Sequence, residues 1–221
     1  MPAAAPLPES GYFGTYTTLE HTSGDSVIRV DGNLTVIGSE LDLTRETHVT
    51  RRGKEVGRII LSRGSAAMGF VPASLHRRLD AMLDAGWTCH AIASTSIFYK
   101  LEDRYITEVA LICAAPANAA ATDAFASRTA AQIARGSHPD VNLSAKELSS
   151  MLAADGQWSP GHDSKRAEPM KGAAYYKTRQ TATERLALAA ASGNKGCWVA
   201  AALAACLLAA AAAALATYLL S

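Results

Sequence analysis

Thr88-Cys-His-Ala-Ile-Ala-Ser-Thr-Ser-Ile-Phe-Tyr99 and Tyr105-Ile-Thr-Glu-Val-Ala-Leu-Ile-Cys113, joined by the polar turn Lys100-Leu-Glu-Asp-Arg104, decide the fold. Both runs favour extended backbone, and the short polar link turns one back along the other as an antiparallel pair. Upstream, Leu75, Leu79, Met82 and Leu83 recur at i, i+4, i+7 and i+8. That spacing predicts a helix with Pro72 at its start and Gly86 as its stop. Val56 to Leu61 and Met68-Gly69-Phe70-Val71 read as further strands. Val27-Ile28-Arg29-Val30 and Leu34-Thr35-Val36-Ile37, separated by Asp31-Gly32-Asn33, predict a hairpin. The expected fold class is therefore α+β. Residues 11–115 would form a small mixed, mainly antiparallel sheet or barrel-like domain with one packed helix, after a disordered Pro/Ala-rich lead over 1–10.

Composition shifts to Ala-rich sequence at Ala114, and residues 116–156 read as a helical extension. One helix is expected from Asp123 to Arg135, stopped by Gly136. A second follows Ser144, whose spacing to Glu147 is that of a capping box, and Gly156 ends it. Phe125, Ile133, Leu148 and Leu152 are the apolar residues through which this pair would dock. Residues 157–195 read as a basic juxtamembrane linker or helix. From Ser164 to Gly196 seven Lys/Arg stand against Glu168 and Glu184, a net of +5.

Residues 196–220 carry no charge in 25 positions and are expected to form a transmembrane anchor. About 20 apolar residues suffice to cross a bilayer core. Trp198 and Tyr218 lie 20 positions apart, about 30 Å along a helix, which would seat one amphipathic ring at each interface. Lys195 marks the inner edge. The basic stretch before it favours a cytosolic location for the preceding chain and attraction to anionic lipid. The run has no polar face, so a surface helix fits it poorly. Its small residues would permit self-association in the bilayer. Met1-Pro-Ala-Ala-Ala-Pro-Leu-Pro-Glu-Ser10 has neither a basic nor an apolar signal region. The expected layout is a tail-anchored, single-pass membrane protein with the bulk of the chain cytoplasmic.

The chain balances 21 basic against 20 acidic side chains, which argues against a strongly basic nucleic-acid binder and a highly charged disordered chain. Two of the 4 cysteines fall inside the apolar run, leaving no disulfide framework. No GxSxG, GxGxxG, Walker, HExxH or CxxC pattern occurs. Cys89 and His90 are adjacent, but strand neighbours point to opposite faces, so they cannot share a proton. His76, Asp80 and Asp84 share a helix side, the pattern of a divalent-metal row or of a solvated face. Arg63-Gly64-Ser65-Ala66-Ala67 is an anion nest or a plain loop. Arg51, Arg52 and Lys54, with Arg58 further on, form a basic cluster suited to phosphate contacts. No catalytic, cofactor-binding or metal-binding residue is assigned.

Met68-Gly69-Phe70-Val71-Pro72, then Leu75, Leu79, Leu83 and Gly86, followed by a β-run, resembles the latter half of a HIRAN domain, over about residues 56–99. The resemblance implies a small β-barrel-like module and, from the family's behaviour, binding of single-stranded nucleic acid. Two functional expectations follow. One is a tail-anchored, non-enzymatic interaction module with an unknown cytosolic protein partner and the lipid bilayer as its support. The alternative is a HIRAN-like module, tethered to the membrane by the C-terminal helix, that binds single-stranded nucleic acid through Arg51, Arg52, Lys54 and Arg58.

Overall fold

The computed structural model describes residues 6–20, 22–23, 26–27, 35–49, 53 and 55–191. Residues 1–179 and 180–221 form two separate compact units. In chain order the first contains β1 (Tyr12–Thr18), β2 (Thr22–Ser23), β3 (Ser26–Val27), β4 (Glu40–Val49), β5 (Glu55–Arg63), β6 (Ala66–Phe70), α1 (Ala73–Asp84), β7 (Thr88–Tyr99), β8 (Arg104–Ala114), α2 (Ala119–Arg135), α3 (Ala145–Ala153) and β9 (Ala173–Lys177). The second contains α4 (Ala182–Ala191), begun by a Thr181–Glu184 exchange of side-chain and backbone hydrogen bonds. The architecture is α+β with an antiparallel main sheet.

The β7–β8 hairpin lies in the middle of that sheet, ordered β1-β8-β7-β4-β5-β6, with β9 also on β7. An antiparallel bridge joins Glu20, just past β1, to Phe70 on β6, with backbone bonds of 2.9 and 2.8 Å. The outer ends of the strand order thus meet. β7 shares one edge between two partners. Ala91 and Ile92 pair with β4, whereas Ser96 to Tyr99 pair with β9. Between them a bulge at Ser94 shifts the register against β8, from Ala93↔Val109 to Thr95↔Glu108. Such an extra residue bends a strand and re-aims its side chains.

Beyond the bulge, alternation assigns Ala91 to Ala93 and Val109 to Cys113 in turn to two buried cores. Ala91, Ala93, Val109, Leu111 and Cys113 meet Ile59, Leu61, Met68 and the inner side of α1, Leu79 and Met82. Ile92, Ala110 and Ile112 meet Phe125, Ala126 and Ile133 of α2, with Leu148 and Met151 of α3. The helical pair after 116 therefore packs on the sheet. Both cores lie wholly within residues 1–179, so this unit carries the apolar burial that a domain needs to fold. The helix ends follow local chemistry. Gly136 caps α2 at φ 101°, and Ser144 with Glu147 forms the expected capping box of α3.

Several elements differ from the sequence reading. β1, β4 and β9 were not among the expected strands, and α2 begins four residues before Asp123. Of the expected 27–37 hairpin, residues 28–34 lie outside the described residues. Thr35 to Ile37 are not strand; they lead into a turn in which the Gly38 amide bonds to the Ala93 carbonyl at 2.7 Å. Residues 157–177, read as part of a linker, run back across the sheet and end in β9, because Glu108 and Tyr99 accept hydrogen bonds from the Ala167 and Met170 amides. The lead over 1–10 is described from Pro6 on, and the anchor over 196–220 lies outside the described residues.

One close approach tests this packing. Tyr12 Oη donates to the Val141 carbonyl at 2.8 Å, and a Cβ on Gly14 would overlap that same carbonyl. Gly14→Ala must push the loop before α3 off the sheet. We expect it to cost about 3 kcal/mol and lower the thermal midpoint by about 6–12 °C. A melt within about 2 °C of the parent would show that the loop gives way freely.

Candidate functional site

The described residue of the basic cluster, Arg58, stands at the edge of a cleft of about 260 Å³. β5 brings Val56, Gly57 and Arg58 to it, β6 brings Phe70, and α1 contributes Ala73 and His76; Glu20 and Val71 complete the lining. The guanidinium lies 5.1 Å from the Phe70 ring centroid, a cation–π contact that holds it over an apolar wall. Arg58 is only 9% exposed, and among the described residues no carboxylate lies within ion-pair distance of it. A cation this sequestered keeps much of its attraction for an incoming anion, because solvent screens it less.

His76 forms the second polar wall. Its Nδ1 lies 3.2 Å from Asp80 Oδ2, and its buried Nε2 has no hydrogen-bond partner. The imidazole lies against β5, where a Cβ on Gly57 would be in ordinary contact at 3.4 Å from His76 Cε1. The lining holds a guanidinium, an imidazole, a carboxylate and apolar surface. Among the described residues, no Ser, Thr, Cys or Lys lines it. The cleft can bind an anion carrying an apolar body.

The other singled-out residues are dispersed or occupied. Arg51, Arg52, Lys54, Lys195, Trp198 and Tyr218 lie outside the described residues. Arg45 of β4 engages the helix row: Nη1 donates to Asp84 Oδ1 at 2.7 Å, Nη2 donates to the Asp80 carbonyl at 2.9 Å, and Nε lies 3.3 Å from Asp80 Oδ1. Those carboxylates therefore fasten α1 to β4. Cys89 and His90 do face apart. Cys89 lies opposite Cys113 in the first core, where their hydrogen bond and burial push the Cys113 thiol well above its usual range. His90 reaches Glu40 Oε1 at 2.6 Å and Asp123 Oδ1 at 2.9 Å. Gly64 and Ser65 form the tight β5–β6 turn.

A second polar constellation was not read from the sequence, although Glu108 inside a β-branched run was a visible anomaly. Its Oε2 accepts from Ser94 Oγ at 2.7 Å and Thr95 Oγ1 at 3.0 Å, and lies 3.0 Å from His138 Nε2. Its Oε1 accepts from the Ala167 amide at 2.8 Å. The β7 bulge presents both hydroxyls to one carboxylate. His138 Nδ1 lies 2.8 Å from Ser164 Oγ, and the Tyr16 ring stacks on the imidazole at 3.8 Å. Burial alone would raise the Glu108 carboxyl, but hydrogen bonds from His138 and Ser94, the His138 charge and the Ala167 amide hold it below its usual value.

Ser164, His138 and Glu108 are linked in the order nucleophile, base and orienting acid. His138 is 2% and Glu108 5% exposed, and neither is among the described residues that line the Arg58 cleft, the cavity between residues 6–14 and α3, or the cavity at residues 160–163. The network ties the β7 bulge, the segment after α2 and the stretch before β9 to one carboxylate. Comparison with protein-family models, curated proteins and solved structures gives no match for this chain.

Because the folded carboxyl of Glu108 sits below its ordinary value of 4.5, its ionised form stabilises the fold above that pH. That contribution is lost as pH falls through the lower folded value. Removing one partner of a buried pair leaves the other uncompensated, so Glu108→Gln should cost about 3 kcal/mol at pH 7. In thermal melts the gap between parent and variant should hold from pH 7 to about 5 and close below about 4.5. A gap that stayed constant down to about pH 3 would show that Glu108 is not the ionised partner.

Proposed function

We propose that the chain is a single-pass membrane-anchored interaction module whose α+β domain faces the cytosol and binds a partner through the Arg58 cleft. The observation that carries the anchoring is the uncharged run Gly196 to Leu220 behind a basic stretch. It lies outside the described residues; among those, no helix is long and apolar enough to cross a membrane. Recognition rests on a sequestered cation over Phe70 in an apolar-walled cleft, a lining suited to holding a ligand. Small residues in the apolar run support self-association as a property of the same segment.

Alkaline extraction of membranes tests the anchor. The full chain should stay in the membrane pellet, and a chain ending at residue 192 should be released. Release of the full chain would overturn the anchored reading. Proximity labelling at the membrane would then reveal whether the domain recruits a partner that the anchor alone does not.

A second reading, the HIRAN-like one, draws support from one specific observation. Arg58 lies on β5, and Arg51, Arg52 and Lys54 precede that strand in the sequence, so the guanidinium could hold one phosphate of a single strand whose backbone also meets those basic residues. Titration with labelled single-stranded DNA and RNA at two salt concentrations separates the readings. The nucleic-acid reading expects a Kd of about 10⁻⁵ M or tighter that weakens with salt, with Arg58→Ala costing about tenfold. Absence of binding at low salt leaves the cleft to a non-nucleic-acid partner.

A further inference from the structure

Two thiols stand opposite one another in the central hairpin. Cys89 on β7 and Cys113 on β8 are direct antiparallel partners, flanked by the pairs Thr88↔Ala114 and His90↔Ile112. Directly paired residues share a sheet face, and both cysteines belong to the first core, Cys113 fully buried and Cys89 packed against it. Opposed residues of an antiparallel ladder have Cα atoms about 4.5–5.5 Å apart. A disulfide needs about 4.4–6.8 Å, so the ladder itself sets the spacing. The bulge at Ser94 lies further along β7 and leaves this register regular. Both thiols are free.

The two sulfurs differ in access. Cys113 has strand neighbours on both sides, Phe13 of β1 and Cys89 of β7. Cys89 is half-buried, and the pairing of β7 with β4 stops at Leu41↔Ala91, short of it. The hydrogen bond with Cys89, and then burial, push the Cys113 thiol well above its usual range. Cys113 therefore keeps its proton, and Cys89 is the sulfur that an oxidant from solvent meets first. His90 takes no part, since it faces the other side of the sheet between Glu40 and Asp123.

We propose that Cys89 and Cys113 are an oxidative modification site, closing to a reversible cross-strand disulfide when the protein meets a hydroperoxide. The Cys89 thiolate attacks one peroxide oxygen. An S–O bond forms, the O–O bond breaks, and the departing oxygen takes up a proton and leaves as water. The Cys113 sulfur then attacks the Cys89 sulfenic acid. The S–S bond forms, the S–O bond breaks, and a second water carries away the Cys113 proton. Two thiols are oxidised to one disulfide, and hydrogen peroxide is reduced to two waters. A dithiol reverses the bond by exchange. The crosslink joins residues 24 positions apart and pins the start of β7, just after α1, to the end of β8. Neither the membrane anchor nor the Arg58 cleft enters this inference.

The test uses residues 1–179, which hold both cores and exclude Cys197 and Cys206. Hydrogen peroxide should lower the mass of the folded domain by about 2 Da. Trypsin should then release residues 79–100 joined to residues 105–128, each segment carrying one cysteine. Dithiothreitol should separate them. The oxidised domain should melt about 6–12 °C higher, because the crosslink constrains the unfolded chain. Cys113→Ala removes the resolving thiol and should leave a sulfenic acid on Cys89 that dimedone traps. The inference is overturned if the joined segments form only in urea-unfolded chain, or if peroxide links two chains through Cys89 and leaves the internal bond unmade. It is equally overturned if oxidation lowers the melting midpoint, or if the parent accumulates Cys89 sulfenic acid beside a free Cys113 thiol. Should Cys113→Ala fail to fold, the peptide map of the parent decides alone.

Discussion

A single carboxylate holds distant parts of the chain together. Glu108 enters the sheet in the middle of an apolar strand, where an unpaired charge is costly. Its neighbours answer that demand from separate parts of the sequence: two hydroxyls from the β7 bulge, an imidazole from the segment after α2, and an amide from the stretch before β9. Each connection fixes something larger. The bulge ends the pairing of β7 with β4 and starts its pairing with β9. His138, stacked on Tyr16, fastens the link between the two helices to β1. The Ala167 amide directs the chain back along the sheet, so that Tyr175 and Tyr176 come opposite Phe98 and Ile97.

What could be read in advance followed from how much of each element is buried. β7 and β8 are covered on both faces and read as continuous apolar runs. α2 and α3 end at glycines and begin, in the case of α3, at a side-chain cap. β4 was hidden because, among its described side chains, only Leu41 and Leu43 turn inward while Thr44 to Thr47 face solvent, so the run looks like a polar loop. β9 is five residues of Ala, Tyr and Lys whose strand character comes from its partner. The cleft was legible in pieces. Arg58 stood out as a basic residue, Phe70 as part of the Gly-aromatic motif and His76 as part of a helical row. Their convergence depends on β5, β6 and α1 meeting, and no local spacing encodes that. The Glu108 network joins residues up to 59 positions apart and was equally out of reach.

The Arg58 cleft holds a cation over an aromatic ring, so its interaction with an anion is short-ranged and shaped by apolar walls.

The shared edge of β7 also has a consequence for synthesis on the ribosome. Lys177 follows its partner Ser96 by 81 residues, so the segment from Ser96 to Tyr99 must wait for both helices to be made before its neighbour exists. An edge strand left open in this way is a template for mispairing with another nascent chain. At about 5–20 residues per second that wait lasts about 4–16 s. The hydroxyl-bearing bulge at Ser94 and Thr95 adjoins this segment, so a polar step flanks the open edge until β9 arrives.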